Sequence, residues 1–117
     1  MRILFAADPM IPVPPVGYGG IERIVDALLR HYRAAGHTVG LVGHPGSTSP
    51  ADAFFPLPGA TPTGRLDTLR NALAVRRAAR TFRPDVLHSF ARLAYLLPLL
   101  PTALPKVMSY QRHTGPR

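Results

Sequence analysis

A strand, a glycine-bearing loop, a helix and a second strand succeed one another across residues 2–43, and that order leaves few folds open. Arg2-Ile3-Leu4-Phe5-Ala6-Ala7 is a short continuous apolar run, as in a parallel strand covered on both faces. A proline-rich loop follows and ends in Gly17-Tyr18-Gly19-Gly20-Ile21-Glu22-Arg23. Ile21, Ile24, Val25, Leu28, Leu29 and Tyr32 then recur at helical spacing, while Glu22, Asp26, Arg30 and Arg33 fall largely away from that stripe. Gly36 supplies a left-handed C-cap, and Thr38-Val39-Gly40-Leu41-Val42-Gly43 reads as the second strand. The opening is therefore one βαβ unit with a right-handed crossover.

The remainder continues the alternation. A strand over Ala53-Phe54-Phe55-Pro56-Leu57 carries a proline that suits a sheet edge. A second helix is predicted from Gly64 to Arg83, with Leu66, Leu69 and Leu73 on one side and Val75, Ala79 and Phe82 on another, so its buried face shifts midway. Pro84-Asp85 breaks it. Asp85-Val86-Leu87-His88-Ser89 reads as a strand, Ala91 to Leu100 as a short apolar helix, and Pro105 to Tyr110 as a last strand. The expected fold is α/β, a Rossmann-like, mostly parallel sheet with flanking helices, in one domain over residues 1–117.

Composition narrows the function classes. With 46% apolar and 17% charged residues, 117 residues can bury one modest core. The absence of cysteine rules out disulfides and thiolate metal sites and suits a reducing cytoplasm, the expected location. The apolar run before Asp8 is too short for a signal-peptide core, and Leu93 to Leu104, broken by Pro98 and Pro101, falls short of a membrane span. The formal charge of +8 raises the question of an anionic partner, but thirteen of the fourteen basic residues are arginine, in a chain also rich in Ala, Gly and Pro. Genome base composition can produce that bias. Arg76, Arg80 and Arg83, with Arg77, share a helix face that reads as solvated, and no nucleic-acid motif accompanies them. Nucleic acid is not expected as a partner. A membrane surface is permitted by the charge and by Leu93 to Leu104, though that segment is better explained as a buried helix.

In such sheets ligands bind beyond the carboxyl ends of the strands, near the point where strand order reverses. Those ends carry Asp8 and the glycine loop, His44 to Ser47, His88 with Ser89, and Gln111-Arg112-His113. Gly17, Gly19 and Gly20 fit either a tight turn and helix start or a close backbone approach to a phosphate, which the helix N–H groups and dipole favour. His88 fits either a satisfied core histidine or a ligand contact. Glu22 and Asp8 fit first-turn and loop acids. His31 and His37 read as solvated and post-cap residues. No His, Asp or Glu cluster has metal-ligand spacing.

Taken in order, Met1-Arg2-Ile3-Leu4-Phe5, the proline loop, Gly19-Gly20-Ile21-Glu22-Arg23, Ala35-Gly36-His37-Thr38-Val39, Arg83-Pro84-Asp85-Val86-Leu87-His88 and a final strand resemble the N-terminal domain of the GT-B retaining glycosyltransferases of family four. The resemblance covers almost the whole chain. It implies two Rossmann-like domains facing across a cleft, with this chain the acceptor half and a C-terminal domain holding most of the nucleotide sugar. Gly17, Gly19 and Gly20 would approach the donor diphosphate. Asp8, Tyr18, His88 and Ser89 would line the acceptor site, and Arg112 and His113 become catalytic candidates. The co-substrate would be a nucleotide-sugar donor, with no metal or other cofactor, and the acceptor a sugar or a lipid-linked molecule. Two features depart from the family. Gln111 and Arg112 stand where many members carry histidine, and the sequence ends at Arg117, before the donor domain with its paired glutamates. The expectation is therefore a split enzyme, inactive alone, completed by a separately encoded donor domain or by self-association through an open sheet edge. The alternative is a non-catalytic Rossmann-like binding or regulatory subunit.

Overall fold

Among the described residues five strands pair in the order β3-β2-β1-β4-β5, every neighbour parallel. They are β1 (Arg2–Ala6), β2 (Thr38–Gly43), β3 (Ala53–Pro56), β4 (Val86–Ser89) and β5 (Lys106–Met108), with helices α1 (Gly20–Ala34) after β1 and α2 (Arg65–Phe82) after β3. The structure is a computed structural model and describes residues 1–7, 13, 20–58, 65–90 and 104–108. The expected helix at Ala91 to Leu100 lies outside those residues, as do Ser109 and Tyr110.

Central position explains the composition of β1. Its alternate residues feed two cores. Leu4 and Ala6 pack with Val42, Leu87 and the α2 residues Val75, Ala78 and Phe82. Ile3, Phe5 and Ala7 pack with Val39, Leu41 and the α1 residues Val25 and Leu29. A strand enclosed on both sides has no polar face, hence the unbroken apolar run. Each large side chain so buried stabilises the fold by about 1.5–3 kcal/mol before entropy is counted. The helices occupy opposite faces because the chain moves one way from β1 to β2 and the other way from β3 to β4. Right-handed crossovers in opposite directions demand that arrangement.

Local signals act as expected at several ends. Gly36 has φ +96°. Its N–H donates to Arg33 O at 3.1 Å and the His37 N–H to Tyr32 O at 3.0 Å, the Schellman pairing of a left-handed helix stop. The Tyr32 and His37 rings meet edge-on at 5.7 Å across it. Pro56 does sit in an edge strand, β3. Helix α2 stops differently. Arg83 takes the left-handed conformation itself, φ 55°, and the guanidinium of Arg2 donates to Phe82 O at 3.0 and 2.5 Å while lying 4.3 Å from the Phe82 ring centre.

Two aspartates close the amino ends of the strands by one device. The Asp52 N–H donates to Val39 O and the Val39 N–H to the Asp52 carboxylate, both at 2.8 Å. The Asp85 N–H donates to Arg2 O and the Arg2 N–H to the Asp85 carboxylate, both at 2.7 Å. Each aspartate stands one residue before a strand and clasps the neighbouring strand at two points. Asp85 is thus held just outside β4 rather than within it.

Two expectations about helix faces need correction. In α1, Ile24 is exposed and Glu22 is buried. Glu22 stands three, seven and ten residues before Val25, Leu29 and Tyr32 and so shares their azimuth, whereas Ile24 lies about 100° round from Val25. In α2, Leu66, Leu69 and Leu73 are exposed, and Asn71, Ala72, Val75, Ala78, Ala79 and Phe82 face the sheet throughout. The buried face does not shift. Small alanines let the helix lie close, and Gly40 opens the space into which Phe82 fits.

Candidate functional site

Strand order reverses at β1, where β2 lies to one side and β4 to the other. The chain leaves β1 toward α1 and returns to β4 from α2, on the opposite face, so the switch point, where open sheets of this kind bind ligands in a crevice, lies beyond the carboxyl ends of β1 and β4. Two backbone bonds fix that rim. The Ala7 N–H donates to Val42 O and the Phe90 N–H to Ala6 O, each at 2.8 Å. The register pairs Ala6 with Ser89. Helix α1 begins at Gly20 above this end of the sheet, and its first N–H groups, which have no partner within the helix, favour a negatively charged group there. Among the sequence candidates, Gly20, His88 and Ser89 come to this end. Asp8, Gly17, Tyr18, Gly19, Arg112 and His113 lie outside the described residues.

Between β1 and α1 the chain is held at Val13. That side chain is fully buried among Phe5, Val25 and Leu41. Its N–H donates to Ser47 Oγ at 2.9 Å, and its carbonyl accepts the Thr48 and Ser49 N–H groups at 2.8 and 2.9 Å. The loop after β2 is itself a tight turn, in which the Gly46 N–H donates to His44 Nδ1 at 2.8 Å and the Ser47 N–H to His44 O at 2.9 Å. Ser49 Oγ reaches Asp26 of α1 at 2.5 Å, and Asp26 pairs with Arg30 at 3.0 Å. The polar Pro45–Pro50 segment thus ties Val13 to α1. His44 shapes the turn after β2, and Ser47 holds Val13, by these bonds.

His88 sits in an aromatic setting that perturbs its titration. Its ring stacks on Phe90, centres 4.4 Å apart, and tilts against Phe5 at 5.7 Å. Burial withdraws water from the imidazolium and holds the imidazole pKa below its ordinary value. A neutral ring at the strand end can donate one hydrogen bond and accept another. Ser89, next along β4, is fully buried.

Buried polar side chains mark the same end of the molecule. Among the described residues these are Glu22 in the first turn of α1, Asn71 in the first half of α2, and Ser89 at the end of β4. Both helices run opposite to the strands, so all three lie toward the carboxyl ends. No buried side-chain nitrogen or oxygen among the described residues lacks a hydrogen-bond partner. Glu22 and Asn71 were not legible as buried groups. The available signal was position, since Asn71 stands four, seven and eleven residues before Val75, Ala78 and Phe82. Among the described residues no three His, Asp or Glu side chains gather to hold a metal ion, and no helix is long and apolar enough to cross a membrane.

Residues 18–116 match the sequence profile of Glycosyltransferase Family 4. The fold is similar to the crystal structure of AviGT4, a glycosyltransferase involved in avilamycin A biosynthesis, with a TM-score of 0.61 and 24% identity. The alignment covers 92% of this chain and 31% of that one, so the chain spans about a third of the solved protein it resembles. No curated protein matches it.

Proposed function

The chain belongs to glycosyltransferase family 4, and on that premise we propose that it forms the acceptor-binding half of an enzyme that transfers a hexosyl group from a nucleotide sugar with retention of configuration. The observation that carries this reading is the reversal of strand order between β1 and β4, with the start of α1 at the same end of the sheet and Glu22 and Ser89 buried there. An acceptor enters over the ends of β1 and β4, against Asp8, Tyr18, His88 and Ser89. The nucleotide sugar sits opposite, held mostly by a donor-binding domain, with its diphosphate turned toward Gly17, Gly19 and Gly20.

The chemistry follows from those positions. The bond between the anomeric carbon and the diphosphate oxygen breaks, and the acceptor oxygen bonds to that carbon on the same face. The acceptor proton passes to the departing diphosphate oxygen. Charge grows on the diphosphate as the bond lengthens, and the first N–H groups of α1, with the dipole behind them, stabilise it in place without reorganising. Arg112 and His113 are the candidates for further polar contacts to it. A neutral His88 orients the acceptor hydroxyl through a hydrogen bond and places no competing cation beside it.

The test is a transfer assay across a panel of nucleotide sugars, with a donor-binding domain present on the same polypeptide or added to it. The anomeric configuration of the product is read by proton NMR. Product that keeps the donor's configuration is expected. An inverted product, or no transfer from any nucleotide sugar, would refute the reading and leave a binding or regulatory domain.

A further inference from the structure

Helix α2 leaves the leucines of its first half in solvent. Leu66, Leu69 and Leu73 are 59%, 55% and 45% exposed, and they lie on the side away from Val75, Ala78 and Phe82, which cover the sheet. At about 100° per residue the same azimuth continues into Arg80, with Arg76 and Arg77 to either side, and all three arginines are exposed. The one acidic residue in the helix, Asp67, falls about 100° round from Leu66. The outward positions therefore carry Leu66, Leu69 and Leu73 with Arg70 in the first half, and arginine in the second.

We propose that this face of α2 seats on an anionic lipid surface. Single exposed apolar residues need no explanation. Three on one stripe, continued by three charges of one sign, match the pairing of apolar insertion and electrostatic attraction that holds interfacial helices. The face is the convex side of a single helix and suits a plane rather than an inserted peptide. Nucleic acid would use the arginines and leave the leucines idle, whereas a leaflet takes both, the leucines at the headgroup boundary and the guanidinium groups among lipid phosphates. The net charge of +8 adds attraction of the same sign. Because α2 runs opposite to the strands, Leu66 stands at the crevice end of the molecule, so docking brings the crevice rim to the lipid headgroups. This assignment stands apart from the sugar-transfer reading and survives if that reading fails.

The test is co-sedimentation of the chain with vesicles of phosphatidylglycerol and phosphatidylcholine, against vesicles of phosphatidylcholine alone. Binding to the anionic vesicles is expected, weakening as salt rises from 50 to 500 mM on the scale of about a Debye length. Each arginine near an anionic leaflet strengthens attachment by about five-fold, so the triple change R76Q/R77Q/R80Q should lower affinity by about 100-fold. The triple change L66S/L69S/L73S should lower it by at least about ten-fold through lost apolar burial. Both sets sit on an exposed face, and a melting curve for each variant confirms that folding is intact. No binding to anionic vesicles overturns the proposal, as does equal binding to neutral ones. Binding that neither triple change weakens overturns this face as the docking surface. Binding to soluble polyglutamate without vesicle binding reassigns the face to an acidic protein partner.

Discussion

Gly40 is the position where one added methyl group should be felt most. It lies in β2 opposite Leu4, and a Cβ built there meets Leu4 Cδ1 at 3.0 Å and Phe82 Cε1 and Cδ1 at 3.1 and 3.2 Å. The closest approach is about half an ångström inside comfortable carbon–carbon contact at about 3.5 Å. Leu4 is fully buried. Phe82 cannot retreat freely, because Arg2 holds its carbonyl and lies over its ring and Phe55 meets it edge-on at 6.4 Å. Overpacking of this kind costs roughly 1–3 kcal/mol. Replacing glycine recovers roughly 0.4–1 kcal/mol through the less disordered unfolded chain. Gly40→Ala should therefore destabilise by about 1–2 kcal/mol, lowering Tm by about 4–8 °C for a domain of this size. With no tryptophan in the chain, far-UV circular dichroism is the suitable probe. Gly43→Ala is the control, since its Cβ would meet only Ala7 Cβ at 3.5 Å and Ser47 Oγ at 3.7 Å. Phe82→Leu in the Gly40→Ala background should show a coupling of at least about 0.5 kcal/mol. A Gly40→Ala protein that melts at or above the wild-type temperature would refute the packing argument.

Other outcomes follow from the same contacts. Arg83→Gly removes a side chain from a left-handed position, φ 55°, and should raise stability by about 0.5–1 kcal/mol in urea titration, whereas Gly36→Ala, at φ +96°, should lower it by about 1 kcal/mol. Asp52→Ala leaves the buried Val39 N–H without its carboxylate and should cost about 1–3 kcal/mol, with Asp52→Asn recovering part of that through its amide oxygen. Burial lowers the His88 pKa in the fold, so below the unfolded value of about 6.5 the unfolded chain binds more protons and stability falls with pH. The wild type should accordingly lose more stability than His88→Phe between pH 7.5 and pH 5.5, and equal losses in chemical denaturation would show that the ring is not desolvated.

What could be read ahead of the structure was whatever depends on spacing along the chain. The βαβ opening, the glycine stop of α1 and the edge position of Pro56 are each set by neighbours within a few residues, and each was legible. The face of α2 was not, because Leu66-Leu69-Leu73 and Val75-Ala79-Phe82 are equally apolar, and the choice rests on shape. The sheet takes alanines and one phenylalanine opposite Gly40, and larger leucines are left outside. Glu22 carries a charge and yet shares the azimuth of Val25 and Leu29, so spacing alone did not show it facing solvent. The aspartate clasps join residues 13 and 83 positions apart, and no local pattern announces them. At the crevice, the strand ends located His88 and Ser89, but the stack of His88 between Phe5 and Phe90 depends on the pairing of β1 with β4.

The central claim is that the start of α1 stabilises the departing diphosphate. Gly20→Val, assayed for kcat/KM with a nucleotide sugar and a donor-binding domain present, tests it most directly. On that reading a branched side chain at the first helical position would push the diphosphate away from the first N–H groups of the helix. The account predicts a loss of at least about 100-fold in kcat/KM, the scale of removing one preorganised donor, with the melting temperature unchanged. Transfer within two-fold of the wild type by a folded Gly20→Val protein would contradict it.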